Sequence, residues 1–249
     1  MVLIAPRFCG PPDSGNGGYS AGLLANLVDG ATEVTLRSPP PLGRELAVVD
    51  QGDQLELRDG HQLIAEARST TLSLDTPACP SFERASELSR YYIGHKVHQF
   101  PSCFVCGPAR APGDGLRIFP GSERLGDSVA APWIPDGNLT SEGGSVRPEY
   151  VWAALDCAGY FASAAPDFPV ALLGRMTAAV LGSVAPGEGC VVIGWPLGRD
   201  GRKLYAGTAV FGEGAKLCAI ARQTWILVGS GNPSRRLFES RPPPSTRAQ

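Results

Sequence analysis

A single carboxylate interrupts one of the most apolar stretches of the chain. Asp156 lies within residues 151–161, which read Val-Trp-Ala-Ala-Leu-Asp-Cys-Ala-Gly-Tyr-Phe. A buried carboxylate is costly unless it has hydrogen bonds, a charge partner or a chemical role. Asp156 is therefore the first candidate catalytic residue. The alternative is a structural aspartate paired with an arginine such as Arg175 or Arg222.

A glycine-rich loop precedes the first apolar helical stretch. Residues 14–18 read Ser-Gly-Asn-Gly-Gly. Glycines let a ligand approach the backbone closely, and the unpaired amides of a helix N-terminus stabilise negative charge. Gly17 and Gly18 are therefore candidate oxyanion and substrate-binding residues, with Asn16 capping the helix or orienting the loop. A flexible turn with an asparagine cap is the simpler alternative.

A Cys-x-x-Cys pair forms the third candidate group. Cys103 and Cys106 lie close to two of the three histidines, His98 among them, so they could bind zinc or act as a redox pair. The second Cys-x-x-Cys of a zinc ribbon is missing, and Cys9 or Cys79 could complete a site only if the fold brought them near. Structural packing is the favoured interpretation and no cofactor is expected, but Cys103, Cys106 and His98 remain metal-ligand candidates.

The elements that must position these residues occur twice. Residues 59–70 align without a gap with residues 213–224, and both read acid-Gly, two variable residues, then Leu-x-Ala-x-Ala-Arg-x-Thr. This pattern predicts a tight turn followed by an alternating strand. An apolar helical run precedes each copy, over residues 19–28 and 150–162. Two copies of one helix-plus-sheet unit bury a seam between them, and a cleft at that seam would suit a ligand.

The repeat divides the chain into segments and predicts an α+β fold, because each copy is a helix followed by antiparallel strands. The segments are an N-terminal unit over residues 1–75, a linker with the cysteine pair over 76–112, a C-terminal unit over 113–230 and a tail over 231–249. Residues 116–119 are expected to form an early strand of the C-terminal unit. The tail is rich in Pro, Ser and Arg without periodicity, which predicts disorder.

Composition excludes several classes of protein. The net charge of −2 and the lack of a basic stripe argue against nucleic-acid binding. No apolar run approaches the roughly 18 residues of a membrane span, and the start lacks the features of a signal peptide. Seven cysteines, an odd number, in a chain of 249 residues favour free thiols over a disulfide framework. These features predict a cytoplasmic protein.

The chain resembles the double-hotdog proteins of the acyl-CoA thioesterase superfamily, in the layout of the thioesterase II group. The resemblance covers about residues 8–230 and depends on Gly17-Gly18, on Ala-Ala-Leu-Asp at 153–156 and on Leu-Cys-Ala-Ile-Ala-Arg-Gln at 217–223. It implies two hotdog units in one chain, each an antiparallel sheet around a central helix. The segment that starts at Cys103 also resembles hotdog-like bacterial proteins. The implied activity is hydrolysis of an acyl-CoA or related acyl thioester, whose acyl chain lies in an apolar tunnel between the helices.

The resemblance also assigns roles to site residues. Asp156 would activate a water or attack the thioester itself, and Thr177 and Gln223 would help to hold the water. The first helix has no acid at the aligned place, so only one half would be equipped for catalysis. Thr177 could instead be an ordinary strand residue, and Gln223 a solvent-facing one. The candidate tunnel walls are Leu23, Leu27, Trp152 and Phe161.

The segment after Thr177 lacks the histidine usual in the family, which keeps a non-catalytic acyl-CoA binding or sensing module as the alternative function. A hydratase is less favoured, because it would need a histidine beside the aspartate and the second half contains none. The expected partner is an acyl-CoA substrate. A monomer and a homodimer both remain open.

Overall fold

The computed structural model describes residues 1–228 of the chain. Its helices are α1 (Gly17–Ala25), α2 (Phe82–Ser89) and α3 (Pro148–Ser163). Its strands are β1 (Val2–Leu3), β2 (Thr32–Leu36), β3 (Glu45–Asp50), β4 (Leu55–Asp59), β5 (Gln62–Ser69), β6 (Val129–Trp133), β7 (Ala171–Val180), β8 (Cys190–Asp200), β9 (Lys203–Phe211) and β10 (Leu217–Leu227).

The strands form one antiparallel sheet in the order β1-β3-β4-β5-β2-β7-β10-β9-β8-β6. From either edge toward the centre, each half follows the same path: β1-β3-β4-β5-β2 from one side and β6-β8-β9-β10-β7 from the other. The halves meet where β2 pairs with β7, with Thr32 opposite Ala178. The fold class is α+β, as predicted.

The repeat in the sequence corresponds to this repeat in topology. Residues 59–70 contain the β4–β5 turn and β5, and residues 213–224 contain the β9–β10 turn and most of β10. Gly60 and Gly214, at the aligned turn position, have φ of 57° and 67°. Because side chains are strained in this left-handed region, glycine is favoured at the same point of both turns.

Helices α1 and α3 lie side by side on one face of the sheet, with α3 on β8, β9 and β10 and α1 on β2, β7 and β5. Two glycines of α1 allow a very close approach. A Cβ on Gly18 would lie 2.6 Å from the backbone oxygen of Trp152, and one on Gly22 would lie 2.7 Å from the Cα of Glu149. The two helices therefore pack backbone against backbone.

The opposite face of the sheet is also covered at the β6–β8–β9 end. Val191, Ile193 and Trp195 of β8 pack in a second apolar cluster with Ala85 of α2, whereas Val192 belongs to the main core. Successive side chains of a strand point to opposite faces, so β8 reads as a continuous apolar run because both of its faces are buried.

Some expectations from the sequence need correction. Residues 116–119 do not form a strand, because their amides bind the cysteine loop instead of the sheet: Leu116 donates to the Phe104 oxygen and Ile118 to that of Val105. The expected linker contains α2. The expected tail lies outside the described residues. In the described part of the chain, no helix is long and apolar enough to cross a membrane.

Candidate active site

Asp156 lies on α3, 2% exposed, at the point where this helix meets the start of α1. Its Oδ2 accepts hydrogen bonds from Asn16 Nδ2 at 2.6 Å and from the Gly18 amide at 3.1 Å. The carboxyl group thus faces the N-terminal end of α1, where the helix dipole favours negative charge. The fold brings Asp156, Asn16 and Gly18 together across about 140 residues of sequence.

Asn16 is the N-cap of α1 and uses both ends of its amide. Its Oδ1 accepts from the Tyr19 amide at 2.9 Å while its Nδ2 donates to Asp156. One side chain therefore fixes the helix start and the orientation of the carboxyl group. Gly18 is required beside it, because a Cβ there would lie 2.7 Å from the Cβ of Asp156.

Two polar groups of this arrangement have no partner within residues 1–228. The second carboxyl oxygen of Asp156, Oδ1, is buried and accepts no hydrogen bond. The amide of Gly17, the first residue of α1, has no protein acceptor. A proton acceptor and a helix N-terminal donor are thus both left for a ligand or a water.

Burial raises the pKa of Asp156 to about 7, and the neighbouring Cys103 adds to the rise, while the hydrogen bonds from Gly18 and Asn16 oppose it. A carboxyl group with this pKa is a stronger base than an exposed aspartate. Perturbed carboxyl groups of this kind are typical of acid–base catalysis.

An apolar cavity of about 490 Å³ opens at this carboxyl group, and Asp156, Asn16 and Gly17 are among its lining residues. Of the four tunnel walls expected from the sequence, only Phe161 lines it. Leu27 is instead 56% exposed beyond the end of α1. The apolar lining comes mainly from β2, the segment before the cysteine pair, the end of α3 and the segment after it, β7 and β10. Examples are Leu36, Phe100, Phe168, Leu172, Leu173 and Trp225.

Three cysteines also line the cavity, and one of them was not singled out from the sequence as a site residue. Cys103 and Cys106 of the Cys-x-x-Cys pair are joined by Cys157 of α3, and the three Sγ atoms lie within 4.8 Å of one another. Cys9 and Cys79 do not belong to this group. The position of Cys157 directly after Asp156 is the one sequence feature that links it to the site.

His98 lies beside the cysteines, with its Nε2 3.3 Å from Cys106 Sγ. Its Nδ1 accepts from the Phe100 amide at 2.9 Å. Burial lowers the pKa of His98, which favours a neutral ring. A neutral ring that accepts at Nδ1 carries its proton on Nε2, so His98 donates to the sulfur.

Thr177 and Gln223 do not line the cavity with Asp156. Thr177 lies between Glu33 and Arg222 of the adjacent strands, and its hydroxyl is 3.4 Å from Glu33 Oε2. The preceding residue, Met176, is the one that enters the core. Strand alternation therefore turns the Thr177 side chain to the opposite face of the sheet. The structure does not bring Thr177 together with Asp156.

Gln223 is fully buried against α3 and all its polar atoms have partners. Its Nε2 donates to the Leu155 oxygen at 2.6 Å and to Thr208 Oγ1 at 3.2 Å, and its Oε1 accepts from Trp225 Nε1 at 2.7 Å. These bonds attach the α3 backbone, one residue before Asp156, to the sheet. The role of Gln223 in holding a water stays a prediction.

At the other end of α1 a different contact joins the two helices. Asn26, the C-cap of α1, donates to Glu149 Oε2 at 2.9 Å, and Glu149 also pairs with Arg147. Both residues are absent from the cavity lining. This buried glutamate therefore has a cationic partner, whereas Asp156 forms no ion pair within residues 1–228.

Removal of the Asn16 side chain should affect both stability and chemistry. Asn16→Ala is expected to lower the free energy of unfolding by about 1 kcal/mol through loss of the helix cap. It should also reduce turnover of the thioester substrate expected from the sequence, because Asp156 loses a hydrogen-bond donor. Ser81→Ala is the matched control, because Ser81 caps α2 and does not touch the cavity. Urea unfolding and kcat should separate the two variants. Equal turnover in both would contradict a role for Asn16 in the site.

No protein-family model and no curated protein matches the sequence. Solved structures do match over almost the whole chain. The TesB protein of Mycobacterium avium subspecies paratuberculosis aligns with a TM-score of 0.58 at 12% identity, over 91% of each chain. A candidate thioesterase from Novosphingobium aromaticivorans aligns with a TM-score of 0.58 at 11% identity, over 92% of this chain and 94% of the other.

A conserved protein with a hotdog fold from Alicyclobacillus acidocaldarius aligns with a TM-score of 0.54 at 10% identity, over 91% of each chain. At such low identity the likeness concerns the fold alone. The hotdog fold that the resemblance in the sequence implied is confirmed at this level. The strand order, the two helices on one face of the sheet and these matches together show that the chain has the hotdog fold.

Proposed function

We propose that this protein hydrolyses an acyl-CoA or related acyl thioester, using two hotdog units in one chain. The N-terminal unit would supply the oxyanion site at the start of α1. The C-terminal unit would supply the base, Asp156 on α3. The observation that carries the proposal is the Asp156 carboxyl group, held through one oxygen by Asn16 and Gly18 while the other has no partner within residues 1–228.

The reaction needs one base and one oxyanion donor. Asp156 takes a proton from a water, whose oxygen attacks the thioester carbonyl carbon. The negative charge that develops on the carbonyl oxygen is stabilised by the Gly17 amide and the helix dipole of α1. The carbon–sulfur bond then breaks, and the thiolate leaves with the proton returned by Asp156. The products are a carboxylic acid and a thiol.

The cavity supports an apolar acyl group as the part of the substrate that is buried. Its volume of about 490 Å³ falls within the range of small-molecule sites, and its lining is mainly apolar. The charged carrier would remain outside. The seven cysteines are all free, which supports a reducing compartment such as the cytoplasm.

The proposal is tested by release of free CoA from a panel of acyl-CoAs, from acetyl to palmitoyl and including aryl esters, separated by chromatography so that the protein thiols do not interfere. Binding of a non-hydrolysable thioether analogue is measured in parallel by calorimetry. Turnover with at least one ester supports the hydrolase. Binding without turnover would identify the alternative, a non-catalytic acyl-CoA binding module. Neither binding nor turnover would contradict the assignment of the cavity.

A further inference from the structure

The sulfur atoms of three cysteines converge at the cavity wall. Cys103, Cys106 and Cys157 are each buried, and they come from a loop and a helix more than 50 residues apart in sequence. We propose that their thiolates form a binding site for a thiophilic divalent cation, with zinc as the first candidate. This inference is independent of the hydrolytic activity.

The sulfur positions fit a tetrahedral metal site. Zinc–sulfur bonds of about 2.3 Å place the sulfurs of a tetrahedral site about 3.8 Å apart. The Sγ atoms of Cys103 and Cys157 are 3.8 Å apart, and Cys106 completes the group within 4.8 Å. A disulfide would instead need about 2.05 Å, so Cys103 and Cys157 are separate thiols, each with a sulfur available as a ligand.

The loop that carries the cysteine pair is held in place by backbone contacts. The Cys103 amide donates to the Phe100 oxygen at 2.8 Å, and the Gly107 amide donates to the Cys103 oxygen at 2.9 Å. A Cβ on Gly107 would lie 2.5 Å from the Cys103 oxygen, so glycine is required directly after the pair. Tyr92 fixes the other cysteine by donating its hydroxyl to the Cys106 oxygen at 2.9 Å. Two ligands are thus presented by a closed turn and the third by a rigid helix.

Two further hydrogen-bond donors lie beside the sulfurs at this place. His98 donates its Nε2 proton to Cys106 Sγ, and Asn16 Nδ2 is 3.9 Å from Cys103 Sγ. Because Nδ1 of His98 accepts from the Phe100 amide, its Nε2 lone pair is not free for a metal, and His98 supports a ligand without being one. His98, which the sequence left as one metal-ligand candidate, thus has a supporting position beside the cysteines.

The fourth coordination position would face the cavity, since all three cysteines line it. Three protein ligands with one open position are typical of zinc sites that bind a water or a substrate atom. The cation would lie near the carboxyl group of Asp156, because Asn16 contacts both Asp156 and Cys103. It would also join the cysteine loop to α3.

The test is the metal content of the full chain, purified under reducing conditions from cells grown without added zinc. We expect close to one zinc per chain by mass spectrometry. After removal with a chelator, the protein should bind cobalt(II) chloride with the thiolate charge-transfer and visible bands of a tetrahedral sulfur site. Wild-type protein that contains no zinc and binds neither zinc chloride nor cobalt after reduction would overturn the proposal.

Variants identify the ligands independently of enzyme activity. Cys106→Ser and Cys157→Ser should each lose the stoichiometric metal. His98→Gln should weaken metal binding by about 10–100-fold, because a supporting hydrogen bond to a ligand is lost. Cys79→Ser, at a cysteine outside the group, should retain the metal. Circular dichroism would confirm that each variant is folded. Equal metal content in folded Cys106→Ser and in wild type would overturn the assignment, as would a disulfide within the group in freshly purified wild type.

Discussion

Asp156→Asn is expected to lower kcat for thioester hydrolysis by about 10²–10⁴-fold, because an amide cannot take the proton of the attacking water. The fold should survive the substitution. The new Oδ1 can still accept from Asn16 and Gly18, while the new amide nitrogen occupies the place where the carboxyl oxygen had no partner. We expect the variant to bind the thioether analogue as wild type does. The measurement is free CoA released under saturating substrate.

Glu149→Gln is the matched control for this experiment. Glu149 is also a buried acid of α3, seven residues before Asp156, but it contacts Asn26 and Arg147 and does not line the cavity. Its loss should alter the thermal midpoint and leave kcat unchanged. If Asp156→Asn kept wild-type turnover, or if the two variants lost it equally, the catalytic role of Asp156 would be refuted.

Gly18→Ala is expected to lower the free energy of unfolding by about 1–3 kcal/mol, as for other overpacked sites, and to reduce turnover as well. The added Cβ would lie 2.6 Å from the Trp152 oxygen and 2.7 Å from the Asp156 Cβ. Backbone atoms of a buried helix cannot rotate away, so α1 and α3 must separate. The Gly18 amide would then move away from the carboxyl oxygen that it binds. Urea unfolding and kcat measure the two effects.

Gly137→Ala tests whether the effect comes from the close approach and not from glycine itself. An added Cβ at Gly137 meets nothing within 4 Å, and this residue has no left-handed φ. Its stability should stay the same or rise slightly, because alanine reduces the freedom of the unfolded chain. Equal stability of both variants would show that α1 and α3 can adjust to a side chain at Gly18.

The internal repeat is the strongest example of what could be predicted from the sequence. The two aligned segments contain the same turn glycine, at Gly60 and Gly214, and the same alternating strand. These features are local, because a left-handed turn and period-two alternation are set by neighbouring residues. The order of helix and strands, and from it the α+β class, followed directly.

Asp156, Asn16 and Gly18 could be singled out as candidates from the sequence for a related reason. A carboxylate within an apolar helix is anomalous in any fold, and a glycine-rich loop before a helix has an evident use. The contacts among these three residues could not be predicted from the sequence, because they depend on how the helices pack. This packing depends on Gly18 and Gly22, which let α1 approach α3 closely enough for the start of one helix to meet the middle of the other.

The sequence by itself thus determined most of the elements, their repetition and the anomalous acid, because these depend on short-range patterns. The tertiary structure alone decided which face Thr177 occupies, that Gln223 binds the helix backbone, and that Cys157 joins Cys103 and Cys106. The physical reason is that a strand residue changes face with a shift of one position, and that contacts across more than 50 residues depend on how the elements pack.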